Sequence, residues 1–142
     1  MAKSGPRLIL ALETGPVQRT FSRLGKACGV VGIATKEAEL RAQLSQADVV
    51  AAVVTEPMLE AVSGMKVLEL ARALQPRALR IMVSNFSEIA ALIEGVHSGL
   101  IQRVLGTPLS EAEVCSVLAA SGPASNPLAP RPMVSPGTRA AM

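Results

Sequence analysis

The stretch Val49-Val-Ala-Ala-Val-Val-Thr-Glu-Pro57 decides the fold. Its first part, Val49–Val54, is a continuous run of small and β-branched apolar residues. A strand with one wet face alternates apolar and polar side chains, so an unbroken run reads as a strand buried on both faces. Helices must then cover each face, and that is the arrangement of a parallel sheet.

Four more apolar runs flank it: Leu8–Leu12, Gly29–Ala34, Leu79–Val83 and Ile101–Leu105. Amphipathic segments alternate with them. Val17, Phe21 and Leu24 share a helix face behind Gly15-Pro16, where Pro suits a first helical position. Leu40 and Leu44 mark the second helix, with Thr35 as the expected N-cap. Val67, Leu70, Ala71 and Leu74 line the third, and Ile89, Leu92, Ile93 and Val96 the fourth. Val114, Val117 and Leu118 belong to the fifth. Asn85 with Glu88, and Ser110 with Glu113, have capping-box spacing before the last two. The alternation predicts an α/β (βα)5 domain, a parallel sheet with helices on both faces. It is expected over residues 7–120, after an N-terminal extension, residues 1–6. Residues 121–142 hold five of the ten prolines and no helical period, which reads as a disordered tail or linker.

Composition narrows the function. The chain of 142 residues is 49% apolar and 18% charged, enough apolar material for one buried core. Aromatic residues make up 1%, Phe21 and Phe86 only, which argues against base-stacking platforms. A net charge of +3 is too mild to imply a nucleic-acid partner. Cys28 and Cys115 have no C-x-x-C spacing, so they are expected to be small buried thiols. The lone His97 completes no zinc pattern with them, and no metal or cofactor is expected. Gly29 and Gly32 do not form a nucleotide-binding fingerprint. Residues 1–7 lack an apolar leader, and no apolar run approaches the roughly 20 residues that span a bilayer. The expectation is a soluble, cytoplasmic chain with no membrane contact.

Ligands of open parallel sheets bind beyond the carboxyl ends of the strands. The residues expected there are Leu12-Glu13-Thr14, Val53-Val54-Thr55-Glu56, Ser84-Asn85 and Gly106-Thr107-Pro108. The order of elements, with Pro57, Ser84 and Thr107-Pro108, resembles a response-regulator receiver domain (CheY-like) over residues 7–119. The resemblance implies a doubly wound, flavodoxin-like three-layer sandwich with strand order 2-1-3-4-5. It also implies a role in two-component (phosphorelay) signal transduction. Receivers carry an acidic pair after the first strand and a phospho-accepting Asp four residues before a Pro. They also carry a hydroxyl residue after the fourth strand and Lys-Pro after the fifth. Matching assigns these positions to Leu12 and Glu13, Val53, Ser84, and Thr107 with Pro108. The loop Met58–Ser63 is then a few residues longer than usual. The segment from Arg80 through Gly99-Leu-Ile-Gln-Arg103 resembles a subgroup reading G-x-I-Y-R, with Gln102 in place of the Tyr that reports activation.

Aspartyl phosphorylation needs a carboxylate nucleophile, a divalent cation held by several oxygens, and a positive group for the phosphoryl oxygens. Val53 cannot attack phosphorus, Leu12 offers no oxygen and Thr107 carries no charge. Asp48, the one aspartate, is expected at the far end of the third strand. The chain therefore reads as a degenerate pseudo-receiver with no phosphoacceptor and no catalytic residue. It would act through phosphorylation-independent protein contacts. The resemblance points to the face of helix 4, strand 5 and helix 5, with Ile93, Gln102 and Arg103 as contact candidates. The partner would be a kinase, a phosphotransfer or output protein, or a second copy. Three other readings stand beside this one. One is a switch at a shifted acidic site built on Glu13, Glu56 and Ser84. Another is a small-molecule sensor with a pocket lined by Val54, Thr55, Ser84 and Thr107. The last is a flavodoxin-like enzyme, against which the single histidine counts.

Overall fold

The structure, a computed structural model, describes residues 7–27, 29–46, 49–85 and 89–120. The expected extension 1–6 and tail 121–142 lie outside the described residues, as do Cys28, Asp48, Phe86 and Glu88. Ten elements alternate along the chain: β1 (Arg7–Ala11), α1 (Pro16–Gly25), β2 (Val30–Ile33), α2 (Glu37–Gln46), β3 (Val50–Thr55), α3 (Gly64–Leu74), β4 (Leu79–Ser84), α4 (Ile89–His97), β5 (Arg103–Gly106) and α5 (Glu111–Ala120). The strands form one sheet in the order β2-β1-β3-β4-β5, parallel throughout.

Strand alternation splits the interior into two cores. Ile9, Ala11, Val53 and Met82 face one side, where Leu40, Leu44, Val67 and Leu68 close over them. Leu8, Leu10, Val54 and Val83 face the other, against Phe21, Val114 and Leu118. All six residues of β3 are buried, as are all six of β4. A central strand covered on both faces has no solvent-facing row on which polar residues could alternate.

The helix starts follow local chemistry. Pro16 opens α1. The Ser63 hydroxyl accepts the Lys66 amide (3.2 Å) at the start of α3, and the Ser110 hydroxyl accepts the Glu113 amide (3.3 Å) at α5. At α2, which begins at Glu37, the Leu40 amide donates to the Lys36 carbonyl (2.9 Å), so Lys36 and not the expected Thr35 holds the N-cap position, and the Thr35 amide donates to the Glu39 carboxylate (3.1 Å).

Several expectations are corrected. β5 starts at Arg103, two residues after the expected Ile101, and Ile101 is buried against the α3–α4 side of the core. Leu74 ends α3 facing outward, and Leu68 takes its place inside. Cys115 is exposed on α5, because Val114, Val117 and Leu118 occupy the inner face. The fourth helix departs most. Leu92 and Gly95 face the core, while Ile89, Ile93 and Val96 are 52%, 62% and 50% exposed. The physical reason is position. α4 stands beside β5, an edge strand, so only one line of its residues meets the sheet.

Candidate functional site

The carboxyl ends of the strands converge on a cleft of about 260 Å³. Glu56, Ser84, Asn85 and Thr107 provide its polar wall, and Val17, Pro57, Met58 and Val83 its apolar wall. Ser84 ends β4 and is buried; it pairs in register with Gly106, and the Thr107 amide donates to its carbonyl (3.2 Å). The Thr107-Pro108 peptide bond is cis.

Two carboxylates tie the neighbouring loops together. The Glu13 amide donates to Glu56 Oε2 (2.9 Å), and the Glu60 amide donates to Glu13 Oε2 (2.7 Å). The loop after β1 is thereby fastened to the loop after β3. Each bond joins an ionised acceptor to a backbone amide, the stronger class of hydrogen bond. Each also uses a lone pair that a cation would need. Among the described residues no three His, Cys, Asp or Glu side chains come together.

The structure brings Glu13, Ser84, Thr107 and Pro108 to this end of the sheet, turns Leu12 inward there, and keeps Val53 out of it. Val53 lies inside β3, fully buried, opposite Ile9 on β1 and Arg80 on β4. Its side chain packs with Ile9, Ala11 and Met82 in the core. Leu12 is fully buried in the opposite core, and its carbonyl accepts from Gln18 Nε2 (2.8 Å). The residue that follows the end of β3 into the cleft is Glu56. Four residues back from Pro57 is Val53, which the register of β3 against β1 and β4 holds inside the strand, ahead of the loop. The loop after β3 folds as a small hairpin with a Met58–Ser63 bridge, a Leu59 amide bond to the Val62 carbonyl (3.0 Å) and a Gly64 amide bond to the Pro57 carbonyl (2.9 Å). Leu59 plugs the core beneath it. Val54 and Thr55, expected to line a pocket, are fully buried, and the Thr55 hydroxyl donates to the Glu56 carbonyl (3.0 Å).

A second surface lies around α4 and β5. Ile89, Leu92, Ile93, Val96, His97 and Val104 line an apolar groove of about 430 Å³. Arg103, a contact candidate, is exposed on β5 but does not line this groove. Gln102, another candidate, is turned away. Its side-chain Oε1 accepts the Arg80 amide (3.0 Å) and its own amide donates to the Arg80 carbonyl (2.9 Å). The carboxamide thus extends the β4–β5 ladder by one step before β5 begins.

Arg80 is the residue that sequence reasoning passed over. It sits within the apolar run of β4 and is only 3% exposed. Its Nε donates to the Leu100 carbonyl (2.9 Å) and its Nη2 to the Gly99 carbonyl (3.0 Å). Burial, and then the nearby Arg72 charge, hold its pKa below the ordinary arginine value, since a desolvated cation loses its hydration. The guanidinium fixes the α4–β5 turn, where Gly99 takes φ 83°, a left-handed conformation that favours glycine. The signal was present in the sequence: one arginine in an otherwise apolar strand.

No family model matches the chain, and no curated protein matches it. Solved structures do. An adenylate cyclase structure from Rhodopirellula baltica superposes with a TM-score of 0.72 at 18% identity, covering 82% of this chain and 87% of that one. The signal receiver domain of an HD domain-containing protein from Pseudomonas fluorescens Pf-5 gives 0.68 at 19% identity, covering 84% and 88%. A CheY-like response regulator receiver domain protein from Methanospirillum hungatei JF-1 gives 0.68 at 19%, covering 82% and 92%. Among the described residues no helix is long and apolar enough to cross a membrane. With five parallel strands in the order 2-1-3-4-5 and five helices, the chain has the CheY-like fold of response-regulator receiver domains.

Proposed function

We propose that this protein is a non-enzymatic interaction module of two-component signalling, a receiver whose partner contacts do not depend on phosphorylation. The observation that carries this reading is the outward turn of α4. Ile89, Ile93 and Val96 leave a row of large apolar side chains in water, beside the groove they form with Leu92 and Val104. Contiguous apolar patches of this kind mark interaction surfaces. The occupant we assign is a second copy of the chain. Glu94 on α4 and Arg103 on β5 are both exposed and carry opposite charges. A two-fold interface places one patch against the same patch, so a surface carrying both signs complements itself.

Sedimentation equilibrium tests it. The wild-type chain is expected to dimerise, and Ile93→Asp to be monomeric with an almost unchanged melting temperature. Ile93 is 62% exposed, and a surface substitution of this kind shifts stability by no more than about 0.5 kcal/mol. A wild-type chain that stays monomeric at its solubility limit would remove the second copy as occupant. Attention would then pass to kinase, phosphotransfer and output proteins.

One observation favours a second reading, a switch at a shifted acidic site. Glu56 lines the cleft together with Ser84 and Thr107. Against it, Glu56 and Glu13 each spend an oxygen on a backbone amide, and Thr107 supplies no positive charge for a phosphoryl group. Amide NMR with magnesium and then beryllofluoride separates the two. The interaction-module reading expects no saturable movement at Glu13, Glu56, Ser84 and Thr107. Saturable movement there would establish the acidic switch instead.

A further inference from the structure

We propose that the cleft at the carboxyl ends of the strands binds an alkylguanidinium group, with Glu56 as its counter-ion. The site is separate from the α4 groove, and the inference does not rest on the docking reading. Glu56 is the one charged side chain lining the cleft among the described residues. The ion pairs among those residues join Arg23 to Glu111 and Arg41 to Glu37, so none neutralises Glu13, Glu56 or Glu60 at this end of the sheet. The chain as a whole carries +3, so the cleft is a local reversal of sign. Clefts that concentrate one sign of charge draw the opposite charge in.

The lining selects among cations. A divalent metal needs several oxygen ligands, typically with more than one carboxylate. Here Glu13 and Glu56 are each engaged with an amide, and no third acid joins them among the described residues. An anion would meet Glu56. A wholly apolar ligand would strip water from that carboxylate with nothing in return. A guanidinium offers five N–H donors in a plane, which a single carboxylate oxygen and hydroxyl acceptors such as that of Thr107 can take up. Its aliphatic stem suits the wall made by Val17, Met58 and Val83. The same chemistry is found in a free small molecule and in an arginine side chain presented by another protein.

The test is an amide NMR titration of the full chain at low salt. One arm uses agmatine, one a capped Ala-Arg-Ala peptide, and a control uses uncharged butylurea. Saturable shifts at Glu13, Ser84 and Thr107 are expected with at least one cation and not with butylurea. Agmatine alone would identify a free ligand, and the peptide alone a protein side chain. Glu56→Gln should weaken binding at least about tenfold, the scale of one charge-assisted hydrogen bond. Thr107→Lys, which tethers an ammonium group in the same space, should weaken it comparably and serves if Glu56→Gln fails to fold. Absence of saturable shifts with both cations would overturn the proposal. So would equal affinity for butylurea, or binding that survives both substitutions.

Discussion

Val53→Asp is expected to destabilise the protein by about 5 kcal/mol at neutral pH, between a third and all of the stability of an ordinary domain. Two losses add. Val53 is fully buried among Ile9, Ala11 and Met82, so its removal forfeits about 1.5–3 kcal/mol of apolar burial. An aspartate there would also be desolvated with no partner, at a cost of several kcal/mol. The pH dependence identifies the cause. Burial raises the folded-state pKa of such a carboxyl above its unfolded value of about 3.9. Between those two values the folded state binds more protons, so stability falls as pH rises. Below the unfolded pKa the charge penalty is gone, and the packing loss and the burial of a neutral carboxyl remain. Urea unfolding of wild type and mutant across acidic and neutral pH checks both points. Equal midpoints at neutral pH would mean that Val53 is not in the core. The same placement predicts no phosphorylation of the mutant by acetyl phosphate, because residue 53 lies inside the strand and not in the cleft.

Gly64→Ala is expected to lower stability by about 2 kcal/mol and to loosen the cleft. A Cβ at Gly64 would stand 2.0 Å from the Glu56 carbonyl oxygen and 3.1 Å from the Pro57 Cα. Both are backbone atoms, so the small hairpin itself must shift. Overpacking of this kind costs about 3 kcal/mol, against a helix-propensity gain of up to about 1. The obstacle is close approach, not a left-handed backbone, since Gly64 has no positive φ. Because Glu56 moves with the hairpin, its bond from the Glu13 amide should weaken. Hydrogen exchange at the Glu13 amide should then accelerate more than that of the α2 amides. A mutant with wild-type stability and unchanged Glu13 exchange would show that the hairpin is loose enough to absorb a methyl group.

These two residues mark how far the sequence could be read. Val53 was legible as a buried strand residue, because an unbroken apolar run has that meaning wherever it occurs. Its alignment with the chemical site was not. Distance from Pro57 along the chain does not show where β3 ends, and the register against β1 and β4 keeps Val53 inside the strand. Gly64 was visible as a glycine at a helix start, with nothing nearby in sequence to announce the Glu56 carbonyl against it. Arg80 carried a signal in its charge alone. What the charge bonds, the carbonyls of Gly99 and Leu100, lies some twenty residues away.

The sequence by itself determined the (βα)5 alternation, the buried centre of the sheet and the starts of α1 and α5. These follow from side-chain period, β-branching and capping chemistry, which act over a few neighbouring residues. Tertiary structure alone decided the rest. Parallel register, Leu10 against Val54 and Ala11 against Thr55, carries Glu56 past the end of β3 to meet Glu13. The place of β5 at the sheet edge decided that α4 shows Ile89, Ile93 and Val96 to water, although their spacing is that of a core stripe. Apolar period states that a helix has an oily face, but only the packed neighbours determine whether the domain itself covers it.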